Sequence, residues 1–118
     1  MMSEQWSVCK TKGDCEPWLF LEGWQEEITE RLHFHDQDEA LQTYAQWIKE
    51  YKKSFESVKE TNLSLFSFWN EGDMHYCEAC DDELQLFYGI VFMKGEEVYP
   101  LAEDEQAARY LLDLLSDK

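Results

Sequence analysis

An α+β fold is what this sequence predicts, and three observations predict it. Apolar residues recur at helical spacing between residues 41 and 58 and again between 107 and 115. Between those stretches, residues 63–69 and 84–93 are rich in aromatic and branched side chains in short runs suited to strands. Glycine and proline punctuate the runs rather than the helical stretches. The expected architecture is one domain, residues 1–118, with an antiparallel sheet of four or five strands and helices packed on one face.

Each element follows in turn. Trp6 and Val8 alternate with polar Ser7, which predicts a first strand over residues 5–12. Gly13-Asp14 breaks it, and Pro17 with its fixed φ disfavours a helix there. Residues 18–21 form a short apolar run that reads as a second strand. From residue 24 to 34 the period is ambiguous, because Trp24, Ile28 and Leu32 fit a helical face over a short span. A longer helix is predicted over residues 36–58. Asp36-x-x-Glu39 resembles a capping box, and Leu41, Tyr44, Ile48, Tyr51, Phe55 and Val58 recur at spacings of 3, 4, 3, 4 and 3. Residues 63–69 then form a strand. Leu84, Leu86, Tyr88, Ile90 and Phe92 share one face of another, with Phe87, Val91 and Met93 on its reverse. Lys94-Gly95 marks a tight turn, residues 96–99 return as an edge strand closed by Pro100, and residues 103–116 form the last helix. Leu41, Ile48, Phe55, Ile90, Phe92, Leu111 and Leu112 are the expected core.

Charge excludes several functions. The chain of 118 residues carries 26 Asp and Glu against 10 Lys and Arg, a net charge of −16. Such a field repels phosphate, so neither duplex nucleic acid nor an anionic membrane is an expected partner; a basic protein surface is. Lys49, Lys52, Lys53 and Lys59 are a local exception and read as the solvated side of the long helix. No signal segment is visible, and the longest apolar stretch, residues 87–93, is far below the roughly 20 residues that span a bilayer. A cytoplasmic protein with reduced cysteines is the expectation.

The chemistry-bearing residues fall in two blocks. In the first, Asp14 and Glu16 stand beside Trp18 and Trp24, and Trp6 is a third indole for the same cluster. Carboxylates next to aromatic rings suit the capture of Arg or Lys from a partner; the same rings also suit a core. In the second block, Asp81 and Asp82 follow Cys77-x-x-Cys80, with His75 just upstream. Two thiolates at this spacing suit zinc, but a structural site needs four ligands, so His75 and one of His33 or His35 would have to join Cys77 and Cys80. Thiol exchange is disfavoured by Glu78, Asp81, Asp82 and Glu83, whose charge opposes a thiolate. The acidic run does not follow the spacing of an EF-hand loop. No serine-hydrolase elbow, zinc-protease helix, P-loop or dinucleotide fingerprint occurs. The residues therefore point to a non-enzymatic interaction or regulatory module with no cofactor, binding a basic surface through Asp14, Glu16, Trp18, Trp24, Asp81 and Asp82. The alternatives are a zinc-stabilised or thiol-active protein centred on Cys77 and Cys80, and a nucleic-acid mimic whose carboxylates imitate phosphates.

Three motifs carry a family resemblance: Lys12-Gly13-Asp14-x-Glu16-Pro17-Trp18 with Trp24, Phe68-Trp69-x-Glu71-Gly72, and Cys77-x-x-Cys80-Asp81-Asp82-x-Leu84-Gln85. The chain resembles, over nearly its whole length, a small family of Gram-positive bacterial proteins that forms a domain of unknown function. That resemblance implies a bacterial cytosolic protein and carries over no activity, cofactor or catalytic residue.

Overall fold

The computed structural model describes residues 5–13, 28–72, 74–77 and 82–116. Strands β1 (Trp6–Gly13) and β2 (Ile28–Phe34) lead into helix α1 (Gln37–Ser54). Strands β3 (Ser57–Thr61), β4 (Leu65–Trp69), β5 (Met74–Cys77), β6 (Asp82–Gln85), β7 (Phe87–Lys94) and β8 (Glu97–Val98) follow, then a 3-10 turn at Leu101–Glu103 and helix α2 (Glu105–Leu115). Every strand pairing is antiparallel. The main sheet has six strands in the order β2-β1-β7-β4-β3, with β8 also on β7; β5 and β6 form a separate hairpin. The α+β class and the antiparallel sheet are as the sequence predicts, with one strand more than the upper estimate.

Register explains which residues become core. Val8 faces Leu32 on one side and Phe92 on the other, while Phe66 faces Ile90 and Phe68 faces Tyr88. Alternation along each strand therefore turns Trp6, Val8, Phe66, Phe68, Ile90 and Phe92 to a single face. Helix α1 lies on that face and buries Leu41, Tyr44 and Ile48 into it; Ala107 and Leu111 of α2 and Leu101 complete the cluster. Aromatic contacts dominate it: Trp6 meets Tyr99 edge-on at 4.9 Å between ring centroids, and Tyr51 meets Phe68 edge-on at 5.2 Å. Lys10 fastens the helix to the sheet margin, its ammonium 4.4 Å from the Trp47 ring centroid and 3.6 Å from Glu30 Oε1.

The reverse face of the sheet has a different composition. Cys9, Leu65, Val91 and Met93 form a small apolar cluster with Ile28 and Val98. Burial pushes the Cys9 thiol above its usual range. One row across this face reads Thr11, Gly89, Ser67, and the buried hydroxyls of Thr11 and Ser67, like that of Ser7, have no hydrogen-bond partner among the described residues.

Several boundaries differ from expectation. Helix α1 ends at Ser54, because Phe55 is extended at φ −120° and ψ 146° and caps the helix through its N–H to the Tyr51 carbonyl. The Asn70 side chain then takes the Glu56 N–H at 2.7 Å, and Ser57–Thr61 pairs with β4. Val58, expected on the helical stripe, is thus a strand residue and 46% exposed. Residues 28–34 are a strand rather than a helical face, because β1 supplies a pairing edge. The single strand expected from Leu84 to Met93 is divided: residues 82–85 pair with β5, and β7 begins at Phe87. The strand expected at residues 18–21 lies outside the described residues.

The turn joining β3 to β4 places Asn62 at φ 50° and Leu63 at φ 61°, a conformation that costs a non-glycine residue about 1–2 kcal/mol. Several contacts hold it. Leu63 N–H donates to Glu60 Oε2 at 2.8 Å, and the Tyr44 hydroxyl donates to the Leu63 carbonyl at 2.8 Å. The Ser64 hydroxyl donates to the Tyr99 carbonyl. Complete burial holds the Tyr44 phenol well above its ordinary pKa, so it stays a donor.

Candidate functional site

The two helices lie side by side and run in the same direction. Gln37, at the start of α1, donates to Asp104 at the start of α2 at 3.5 Å, and one and a half turns later Gln42 donates to the Tyr110 hydroxyl at 2.8 Å. Both helix N-termini therefore meet at one end of the helical layer. Each is capped by an aspartate: Asp36 Oδ1 accepts from the Asp38 N–H, and Asp104 Oδ1 from the Ala107 N–H, both at 3.1 Å. Asp104 also accepts from the Tyr99 hydroxyl at 2.6 Å. That bond first, and the Ala107 N–H second, hold its carboxyl below the usual range.

Four further carboxylates surround the caps. Asp38, Glu39, Glu103 and Glu105 are all exposed. Among the described residues, only Glu105 of these six acids makes an ion pair, with Arg109 at 3.5 Å. Two helix N-termini offer a positive potential equivalent to about one elementary charge in total, against six negative ones. Capping and the helix dipole thus account for part of this charge, and a surplus of carboxylates faces solvent. Such an end can receive guanidinium or ammonium groups through charge-assisted hydrogen bonds.

The residues singled out in the sequence are placed as follows. Asp14, Glu16, Trp18 and Trp24 lie outside the described residues, as do Cys80 and Asp81. His75 and Cys77 are on β5 and Asp82 is on β6, with Cys77 opposite Asp82 and His75 opposite Leu84 in the hairpin. His33 is on β2 opposite Ser7, and His35 follows the strand; both are exposed. The spacing of the two histidines therefore belongs to a strand end, not to a helix. Trp6 is a core residue, packed on Phe92 and Tyr99. Among the described residues, no group of three or more His, Cys, Asp or Glu is close enough to hold a metal ion. No described helix is long and apolar enough to cross a membrane.

The acidic end was missed in the sequence, although both of its capping aspartates carried a visible signal. Asp36 and Asp104 each precede an apolar-periodic stretch, and acids crowd the first turn of each. What linear spacing lacks is the parallel placement of α1 and α2, which joins two ordinary helix starts across 67 residues of chain.

A model of the family described as "Protein of unknown function (DUF1033)" matches residues 5–113. The chain belongs to the DUF1033 family. The match takes in β1 to β8 and most of α2, so the capped ends of both helices lie within the DUF1033 region. No curated protein and no solved structure gives a match.

Proposed function

We propose that this DUF1033 protein is a non-enzymatic interaction module that binds a basic protein surface. The observation that supports it is the junction of the α1 and α2 N-termini, where Asp36, Asp38, Glu39, Glu103, Asp104 and Glu105 gather and five of the six have no ion pair among the described residues. The net charge of −16 steers cationic partners toward the molecule, and desolvated pairs at this end would give the contact its register.

The test is titration of a fluorescent Arg- and Lys-rich peptide into the protein at two salt concentrations. Saturable binding that weakens with salt is expected. It should weaken further, by about tenfold or more, when Asp38, Glu39, Glu103 and Glu105 are changed together to their amides, with Asp36 and Asp104 kept as caps. Equal binding by the amide variant would move the interaction off this end, and no binding by either protein would refute the reading. The rival zinc reading is separated by elemental analysis and chelation: a structural zinc would unfold the domain when removed. No stoichiometric metal, and a Tm indifferent to chelator, are expected.

A further inference from the structure

The opposite end of the same helical layer carries a cluster of lysines. Lys49, Lys52 and Lys53 stand on the C-terminal half of α1, and among the described residues none of them has a carboxylate within 4 Å. Most of the other described cations differ. Lys10 and Arg31 pair with Glu30 and Glu96, Arg109 pairs with Glu105, and Lys12 and Lys94 lie over aromatic rings. In a chain with 26 acids for 10 bases, three unpaired lysines on one helix need a reason. The helix dipole supplies part of one, since Lys52 and Lys53 lie in the last turn of α1. Lys49 lies outside that turn.

These lysines border a valley. Gln42, Ala45, Gln46, Lys49, Lys53 and Leu114, with Glu50, line a depression of about 360 Å³ open to solvent between α1 and α2. A second, of about 330 Å³, adjoins it and is lined by Lys49, Lys52, Lys53 and Leu115. Ala45 and the two leucines make an apolar floor, the lysines make a cationic wall, and the Gln42–Tyr110 hydrogen bond bridges the two helices at the start of the valley. From residue 42 to 53 it runs about 16 Å, the length of three helical turns.

We infer that this valley is a docking groove for an amphipathic acidic helix of a partner protein. A third helix seats its apolar stripe on Ala45, Leu114 and Leu115, as helices do in grooves between parallel neighbours. Lys49 and Lys53, four residues apart, face carboxylates at the same spacing on the incoming helix. Duplex nucleic acid fits less well, because its uniform charge meets the acidic remainder of the surface, whereas a short helix presents its carboxylates only where the lysines are. The inference is independent of the proposed acidic contact, which lies at the other end of the helices.

The probe is a fluorescein-labelled synthetic peptide of leucine and glutamate with alanine, its leucines at i, i+3, i+4 and i+7, compared with a scrambled peptide of the same composition. Anisotropy with the full chain should show saturable binding of the first peptide alone. Lys49→Gln with Lys53→Gln should weaken it by about tenfold or more while leaving the circular dichroism spectrum and Tm unchanged. Should that pair lower Tm, Lys49→Gln alone, outside the last turn, must still weaken binding. Absence of saturable binding would overturn the inference, as would equal binding of the scrambled peptide or equal affinity in the variants. Displacement of the peptide by a DNA duplex would overturn it in favour of nucleic acid. A concentration-dependent dimer lost in the double variant would overturn it in favour of a second copy of the chain.

Discussion

Ser67 is a polar residue in an otherwise apolar strand. It is 0% exposed, and its hydroxyl has no partner among the described residues. A buried unsatisfied hydroxyl costs about 1–3 kcal/mol, so Ser67→Ala should hold or raise stability, by about 1 kcal/mol at most. Chemical denaturation of both proteins checks this, and a clear loss would mean that the hydroxyl has a partner. Asp104 is the contrary case, with three bonds converging on one half-buried cap. Asp104→Ala should cost about 1 kcal/mol at neutral pH. The sign of its pH dependence follows from the lowered carboxyl pKa. The ionised, bonded form belongs to the folded state, so its contribution is complete above the unfolded value of about 3.9 and vanishes as pH falls through the lower folded value. Melting wild type and variant from pH 7 down to pH 2 should show the Tm gap constant at first and then closing in acid; a gap that widens in acid would contradict the assignment.

At the scale of elements, α2 shows what a periodic pattern leaves undecided. Leu111 and Leu112 were both expected in the core, yet Leu111 is fully buried and Leu112 is 53% exposed. The buried side of α2 is set by Ala107 and Leu111, four residues apart, and Leu112 is turned about 100° away from Leu111. Leu111→Ala should therefore cost about 2–5 kcal/mol, whereas Leu112→Ala should stay within about 0.5 kcal/mol. Equal losses at the two sites would mean that α2 sits differently on α1. The end of α1 is a related case: Val58 continues the helical spacing, but Ser57–Thr61 can bond to β4, and a ladder outweighs a pattern that had no further face to bury.

Charge acts on the molecule as a whole. The surface bears exposed carboxylates on both helices and on β2, β3 and β8, and the net charge of −16 makes the folded state repel itself. Adding salt at constant pH should accordingly raise Tm, most steeply below about 0.15 M where the screening length is long; a Tm that falls with salt would show that specific ion pairs outweigh the general repulsion. Against this background the two ends of the helical layer differ, one gathering carboxylates and the other gathering Lys49, Lys52 and Lys53. Their separation follows from the parallel course of α1 and α2, which no composition reports.

The sequence by itself determined the class of fold, the positions of β1, β4, β7 and both helices, and most of the core. Leu41, Ile48, Ile90, Phe92 and Leu111 were legible because burial demands a period of 3.6 or 2 in the residues that achieve it. Net charge was equally legible, being a sum that needs no coordinates. Tertiary structure alone decided the rest. It made residues 28–34 a strand by offering the edge of β1, divided residues 82–94 between two sheets, and left Phe55 a half-buried cap rather than a fully buried core residue. It also assembled the acidic end and the lysine valley, because neighbours across two helices 67 residues apart depend on how those helices pack, and no local spacing encodes that.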